Sequence, residues 1–166
     1  MTSILVRWLI FLHILSALTF FLAHGTSVAM AFKVRRETDF TRIRAMLDLS
    51  DSTIEIMFLS FLAMGFTGMV LPFFLHIWNK GWVWLSILLM IFVFLWMVWM
   101  NERAYKTLRK LVGLPYRRGS REYPAEPAAS AEAVIAQLKE TKVTGLVVVG
   151  YGIPILVLWL MVFKPF

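Results

Sequence analysis

The chain contains no cysteine, and only 16% of its 166 residues are charged. Without thiols it cannot form disulfides, use a catalytic thiolate or hold a metal ion on cysteine sulfur. An ordinary soluble domain is about 25% charged, so this shortage of charge argues against a water-soluble globule. The sequence also lacks a nucleophile elbow, a P-loop, an HExxH motif and a glycine-rich dinucleotide turn. No catalytic residue is assigned, and the lack of these motifs argues against an enzyme.

Apolar residues make up 60% of the chain, and its mean hydropathy is +0.74. They fall in four blocks, each long enough for the roughly 20 helical residues that cross a hydrocarbon core about 30 Å thick. The blocks cover about residues 4–32, 53–77, 81–100 and 143–163. The sequence therefore predicts a single all-α membrane domain over residues 1–166. Its fold class is a polytopic four-transmembrane-helix bundle with short cytoplasmic amphipathic segments in loops 33–52 and 101–142.

The first block is interpreted as a retained span and not as a cleaved signal peptide. Its apolar stretch is longer than the usual 7–15 residues of such a peptide, although Ala29-Met30-Ala31 imitates a cleavage site. Only Arg7 precedes this stretch, and a cluster of cations follows it. A signal peptide would have to carry that cluster across the membrane.

Lysine and arginine predict the orientation, because cytoplasmic loops carry an excess of both. Five lie between spans one and two and nine between spans three and four, against three elsewhere. Both termini are therefore expected on the non-cytoplasmic side of the membrane. The aromatic residues form two interfacial belts, as expected for such spans. The outer belt is Trp8, Trp78, Trp82, Trp84 and Trp159, and the inner belt is Trp96, Trp99 and Tyr105.

The net charge of +7 is assigned to contact with anionic lipid and not to nucleic acid, since each cation near such a surface contributes about 1 kcal/mol. The predicted partners are the lipid bilayer and either other membrane subunits or a second copy of the chain. The predicted lipid-headgroup anchors are Arg35, Arg36, Arg42, Arg44, Arg109, Lys110, Arg117 and Arg118.

The cytoplasmic loops contain helical patterns. Residues 33–52 suit either a short amphipathic helix that lies against the membrane surface or the base of the bundle, or a solvated continuation of the first helix. Ser52 and Glu55 have the spacing of a capping box, which predicts that the second helix begins at Ser52. Ser130 is expected to cap a further helix over 131–141 that runs into the fourth span. Small residues favour spans one, two and four as the packed centre, with span three facing lipid or a partner.

Ionisable groups in the hydrocarbon region are functional candidates by default, and here they are His13, His24, Glu55 and His76. One interpretation is a b-type haem with His13 and His76 as axial ligands. A second is a transition-metal path of histidine and methionine. A third is a proton or ion site formed by the polar pair His24 and Glu55. The fourth is that the histidines hydrogen-bond between helices and fix their register. This last interpretation is preferred, and it assigns no metal site and no cofactor.

The segments Leu12-His13, Ala23-His24-Gly25, Lys33 to Glu37 and Arg42 to Ser50 resemble small uncharacterised bacterial four-helix integral membrane proteins. Those proteins are distantly similar to copper-resistance D-like membrane domains. The resemblance covers about the first 50 residues. The copper-linked proteins would imply histidine or methionine metal sites, but the chain has no dense cluster of either, so no ligand is carried over.

The leading functional hypothesis is a non-catalytic inner-membrane protein that acts as a structural or accessory component of a larger complex. Two alternatives stay open. One is a haem- or metal-binding membrane redox protein, and the other is a small transporter or ion-conducting protein that uses the first two helices.

Overall fold

The protein is mostly helical, as a computed structural model of residues 3–118, 121–141 and 143–166 shows. Four helices are long and apolar enough to cross a membrane: Ile4–Val34, Phe40–Leu75, Gly81–Leu111 and Val143–Phe163. The prediction of a multi-pass helical membrane protein is confirmed at this level. The elements in chain order are α1 (Ile4–Val34), α2 (Phe40–Leu75), α3 (Gly81–Met100), a first π-helical segment (Asn101–Tyr105), α4 (Lys106–Leu111), β1 (Tyr116–Arg118), β2 (Arg121–Tyr123), α5 (Ala131–Glu140), α6 (Val143–Val147), a second π-helical segment (Val148–Gly152) and α7 (Ile153–Phe163).

The second helix begins at Phe40, twelve residues before Ser52, so the predicted start at Ser52 is wrong. Its N-cap is Asp39, whose side chain accepts a hydrogen bond of 2.8 Å from the Thr41 backbone N–H. The Ser52 hydroxyl instead donates to the Leu49 carbonyl at 2.7 Å, inside a continuous helix. Residues 40–52 are therefore the first turns of α2 and not a separate short helix or a continuation of the first helix. Their apolar side chains Ile43 and Leu47 are buried at the base of the bundle, as the amphipathic interpretation predicted.

The turn between α1 and α2 is held by Glu37. Its carboxylate accepts hydrogen bonds from the backbone N–H groups of Thr38 at 3.0 Å and Asp39 at 3.1 Å. The Asp39 bond, followed by the Thr38 bond, lowers the pKa of the Glu37 carboxyl below its ordinary value, since both favour the ionised form.

Replacing Asp39 with alanine is expected to destabilise the protein by about 1 kcal/mol, because an N-cap carboxylate satisfies an otherwise orphaned helix donor. The matched variant Ser52→Ala should change the free energy of unfolding by less than about 0.5 kcal/mol. Thermal unfolding in mild detergent, followed by far-ultraviolet circular dichroism, measures both. A larger loss in Ser52→Ala than in Asp39→Ala would contradict this position for the start of α2.

The loop after α3 contains structure that the all-α prediction missed. Strands β1 and β2 pair antiparallel, with Tyr116 opposite Tyr123 and the two rings stacked 5.1 Å apart. The predicted helix after Ser130 is confirmed, and the Ser130 side chain accepts from the Ala133 N–H at 3.4 Å. This helix does not run on into the fourth span, because Thr141 is extended (φ −66°, ψ 112°).

The spans pack as two antiparallel pairs, α1 with α2 and α3 with α7, and α6 also contacts α1. Span three, which was predicted to face lipid or a partner, packs against the fourth span. Gly145 of α6 makes room for Trp96, since a Cβ added there would lie 3.0 Å from the indole. At the far end of the same pair, Trp82 and Val83 pack against Leu160.

Both basic loops lie at one end of the bundle and share a core. We call residues 35–52, 106–118 and 121–141 the basal layer, and the opposite end, residues 76–80 and 164–166, the distal end. Arg44 Nε in the basal layer donates to the Val112 carbonyl at 2.6 Å. The buried core that joins this layer to the end of α1 consists of Val34, Ile43, Leu47, Leu108, Val112, Val134 and Leu138.

Candidate functional site

His13 joins α1 to α2 in the distal half of the bundle. Its Nδ1 lies 3.0 Å from the Met64 carbonyl oxygen and 3.0 Å from Thr67 Oγ1. Its ring lies over Gly68, where an added Cβ would come within 3.0 Å of the His13 Cε1 atom. The missing side chain of Gly68 therefore lets the imidazole reach the α2 backbone and sets the register of the two helices.

His76 is not brought together with His13. It is exposed and ends α2 as a C-cap in the left-handed region (φ 53°), with a backbone hydrogen bond to Pro72. It follows Gly68 by eight residues, about 12 Å along a helix. Met64 and Thr67, to which His13 bonds, precede Gly68 in α2. The groups that His13 bonds lie earlier in α2 than Gly68, whereas His76 lies eight residues after it. The two imidazoles are therefore not placed to ligate one haem from opposite sides.

His24 is the most enclosed ionisable group of the spans, with only 2% of its surface exposed. Its ring stacks parallel to Phe20 at 5.7 Å and lies 5.1 Å from the Tyr151 ring. Its Nε2 is buried without a hydrogen-bond partner. Nε2 faces Gly150 in the second π-helical segment, and a Cβ added there would overlap the imidazole. The His24 imidazole therefore occupies the space that the absent side chain of Gly150 leaves on the fourth span.

Glu55 does not pair with His24. Glu55 is exposed. Thr53, two residues earlier, faces α1. Two residues turn a helix by about 200°, so Glu55 lies on the side of α2 away from α1. The Thr53 hydroxyl lies 3.0 Å from Ser27 Oγ, and Ser50 Oγ donates to the same Ser27 oxygen at 3.4 Å. A small hydroxyl cluster, and not an ion pair, joins α1 and α2 at this level.

A partly open cavity of about 220 Å³ lies between α1, α2, α3 and α6, in the half of the bundle next to the basal layer. Its polar rim includes Arg35, Asn101 and Thr141, and His24 and the Ser27 hydroxyl lie on its wall. Most of the rest of the lining is apolar. The phenylalanine and methionine side chains that line it are Phe20, Phe58, Phe61, Phe94, Met30, Met57, Met97 and Met100.

No protein family, curated protein or solved structure matches the chain. The site is therefore interpreted from its own geometry. In the part of the chain that the structure describes, no three histidine, cysteine, aspartate or glutamate residues are grouped so that they could hold a metal ion.

Arg109 is not the lipid-headgroup anchor that its sequence position predicted. It is 6% exposed and donates from Nε to the Pro115 carbonyl at 2.9 Å and from Nη1 to the Leu47 carbonyl at 3.3 Å. Nη1 also lies 2.9 Å from the Asp48 carboxylate and 3.9 Å from that of Asp51. Arg109 therefore joins α2 to the loop after α4.

The Tyr105 hydroxyl shares this junction, because it donates to the same Leu47 carbonyl. Tyr105, Leu47 and Leu108 also line the cavity at its basal end. The Arg109 junction consequently supports the basal end of the cavity.

The other predicted anchors differ in their surroundings. Arg35, Arg36 and Arg42 are exposed, whereas Arg44 bonds the Val112 carbonyl. Lys110 Nζ lies 3.4 Å from the Glu126 carboxylate. Arg117 pairs with Glu122, and this hydrogen bond raises the pKa of the Arg117 guanidinium. The Arg118 side chain and residue 142 fall outside the described part of the chain.

A double-mutant cycle on His13→Ala and Thr67→Val is expected to give a coupling energy of about 0.6 kcal/mol, with an upper bound of about 1.7 kcal/mol. The reason is that the hydrogen bond lies between two spans, where the unfolded state in the membrane also finds partners. Denaturant unfolding in mild detergent measures the four proteins. His76→Asn serves as the control, because asparagine tolerates the left-handed cap position; additive effects of the His13 and Thr67 changes would contradict the contact.

Proposed function

We propose that the protein is a small non-catalytic integral membrane protein of the bacterial inner membrane. In this proposal it acts as a structural or accessory component of a larger membrane complex. The supporting observation is how its intramembrane polar groups are used. His13 bonds Met64 and Thr67, and Ser27 bonds Thr53. These groups join helices and do not converge on a common reacting centre.

The accessory role is also supported by how little of the chain lies outside the spans. The basal layer has one compact core, and its helices and hairpin are short. Crosslinking in native membranes, followed by native-gel migration in mild detergent, tests this role. We expect a species larger than the 19.2 kDa chain that contains other membrane subunits or a second copy. A lone monomer with no crosslinked partner would contradict the proposal.

The proposed orientation places the basal layer in the cytoplasm and both termini outside. Fourteen of the seventeen lysine and arginine residues belong to the two loops that meet at the basal end, in keeping with the positive-inside rule. The absence of cysteine makes single-cysteine variants clean reporters. Labelling of Lys164→Cys by an impermeant maleimide should occur in intact spheroplasts. Labelling of Ala45→Cys should require permeabilisation, and the reverse pattern would invert the proposal.

The optical spectrum distinguishes this proposal from the redox alternative. We expect purified protein without a Soret band. A Soret band that disappears in His13→Ala would overturn the non-catalytic proposal in favour of haem binding. Flux in proteoliposomes that depends on His24 and Glu55 would likewise favour the transporter alternative.

A further inference from the structure

The cavity has a polarity gradient that matches one class of ligand. Its rim at the basal layer carries Arg35 and Asn101, whereas its deep end is formed by Phe20, Phe61 and Phe94. The Phe61 and Phe94 rings stack at 5.2 Å, and Phe20 lies 5.7 Å from Phe61. A ligand that fills this space needs a polar head near the end of α1 and an apolar body that extends toward the middle of the bundle.

The charge at the rim has one sign. Among the described lining residues, Arg35 is the only lysine or arginine, and there is no aspartate or glutamate. The Arg35 side chain is exposed and has no ion-pair partner among the residues the structure describes. Lys33 and Arg36 line a second recess beside it on α1. This positive rim favours an anionic head group.

The size and surroundings of the cavity favour a lipid chain as the apolar body. An apolar cavity of about 150 Å³ already stays dry and admits benzene, and this one is about 220 Å³. It lies between membrane-spanning helices and is partly open. Such helices are surrounded by acyl chains. An acyl chain that enters the cavity moves from one apolar environment to another.

We propose that this cavity binds one anionic phospholipid, with its phosphate at Arg35 and part of one acyl chain packed against Phe20, Phe61 and Phe94. The site does not depend on the accessory role, because it is formed within a single chain. A bound lipid would also cover the wall that carries His24.

Native mass spectrometry of the full chain in mild detergent tests the site, with phosphatidylglycerol and phosphatidylcholine of equal chain length as probes. We expect one phosphatidylglycerol per chain, retained about fivefold more strongly than phosphatidylcholine, since about 1 kcal/mol per basic residue corresponds to that factor. Arg35→Gln should remove the preference. The matched control Arg42→Gln, which changes an exposed cation outside the cavity, should keep it.

Blocking the chain site is a second, independent test. Ala31→Trp on α1 and Ala104→Trp on the opposite wall should each reduce retention of both lipids at least fivefold. Leu22→Trp, a change at a 75% exposed position of the same helix, should not. Unchanged melting temperatures would identify the variants that still fold. If neither tryptophan variant folds, the lipid preference of Arg35→Gln tests the proposal alone.

An unchanged preference for phosphatidylglycerol in folded Arg35→Gln would overturn the proposal, and so would any of the following outcomes. The first is equal retention of the two lipids by the unaltered protein. The second is full retention in folded Ala31→Trp or Ala104→Trp. The third is displacement of the lipid by inorganic phosphate alone, or a lipid-free dimer, since either would assign the positive rim to another occupant.

Discussion

Replacing Arg109 with glutamine is expected to destabilise the protein by about 2 kcal/mol. Removing one partner of a buried ion pair costs about 3–5 kcal/mol, but Asp48 and Asp51 are 55% and 54% exposed, so solvent screening reduces the electrostatic part. The remainder comes from the Leu47 carbonyl, which loses a donor in a buried setting. Denaturant unfolding in mild detergent measures the loss.

The control for this prediction is Arg42→Gln. Arg42 also faces carboxylates, those of Glu37 at 3.9 Å and Asp39 at 3.7 Å, but its side chain is 71% exposed. Surface ion pairs of this kind contribute about 0–1 kcal/mol. Equal losses in the two variants would show that Arg109 behaves as a surface cation and would contradict its burial.

Replacing Gly150 with alanine is expected to cost about 1–3 kcal/mol, the usual range for adding a methyl group to a well-packed site. A Cβ at this position would lie 2.7 Å from His24 Cε1 and closer still to Nε2. The imidazole cannot easily move aside, because Phe20 and Tyr151 flank it. The variant must therefore separate α1 from the fourth span or displace His24.

Gly152→Ala is the matched control for Gly150→Ala, since it lies in the same π-helical segment and its added Cβ would meet nothing within 4 Å. It should be neutral or stabilise by up to about 1 kcal/mol, because alanine loses less backbone entropy than glycine. The double variant His24→Ala/Gly150→Ala should be less destabilised than the sum of its single variants. Strict additivity would mean that the two residues do not meet.

The spans were predictable because hydropathy is a local property. Span three was predicted over residues 81–100 and is found as α3, Gly81–Met100, and the fourth span likewise matches Val143–Phe163. The Ser130 cap was predictable for the same reason, since a cap depends on neighbouring residues.

The start of α2 was not predictable from local pattern, because its first turns are covered from elsewhere. Ile43 and Leu47 are buried by Leu108, Val112 and residues of α5, which come about sixty or more positions later. Without that cover, the charges at Arg42 and Arg44 indicate a loop or a surface helix. The capping-box spacing at Ser52 occurred inside a helix, where its hydroxyl bonds the Leu49 carbonyl.

The histidine environments depend on register between helices, which a single sequence does not contain. The glycines of the fourth span were recognisable as a packing feature. Their neighbours in sequence, however, do not indicate that Gly150 packs against His24. The same holds for Arg109, whose partners Leu47 and Asp48 lie in another helix and Pro115 in the loop beyond α4. Its neighbours in sequence are basic and gave it the appearance of one more surface cation.

The pairing of the spans has a consequence for how the chain is made. Helices α1 and α2 are joined by residues 35–39, so they can associate as a hairpin while the rest is still being translated. Helix α3 must wait for α7, whose first residue follows its last by 53 positions, and the basal core waits for Leu138. During that interval α3 can contact α2 through Phe94 and Phe61 but lacks α7, and the insertion machinery or surrounding lipid must shield the side chains that later contact Leu160.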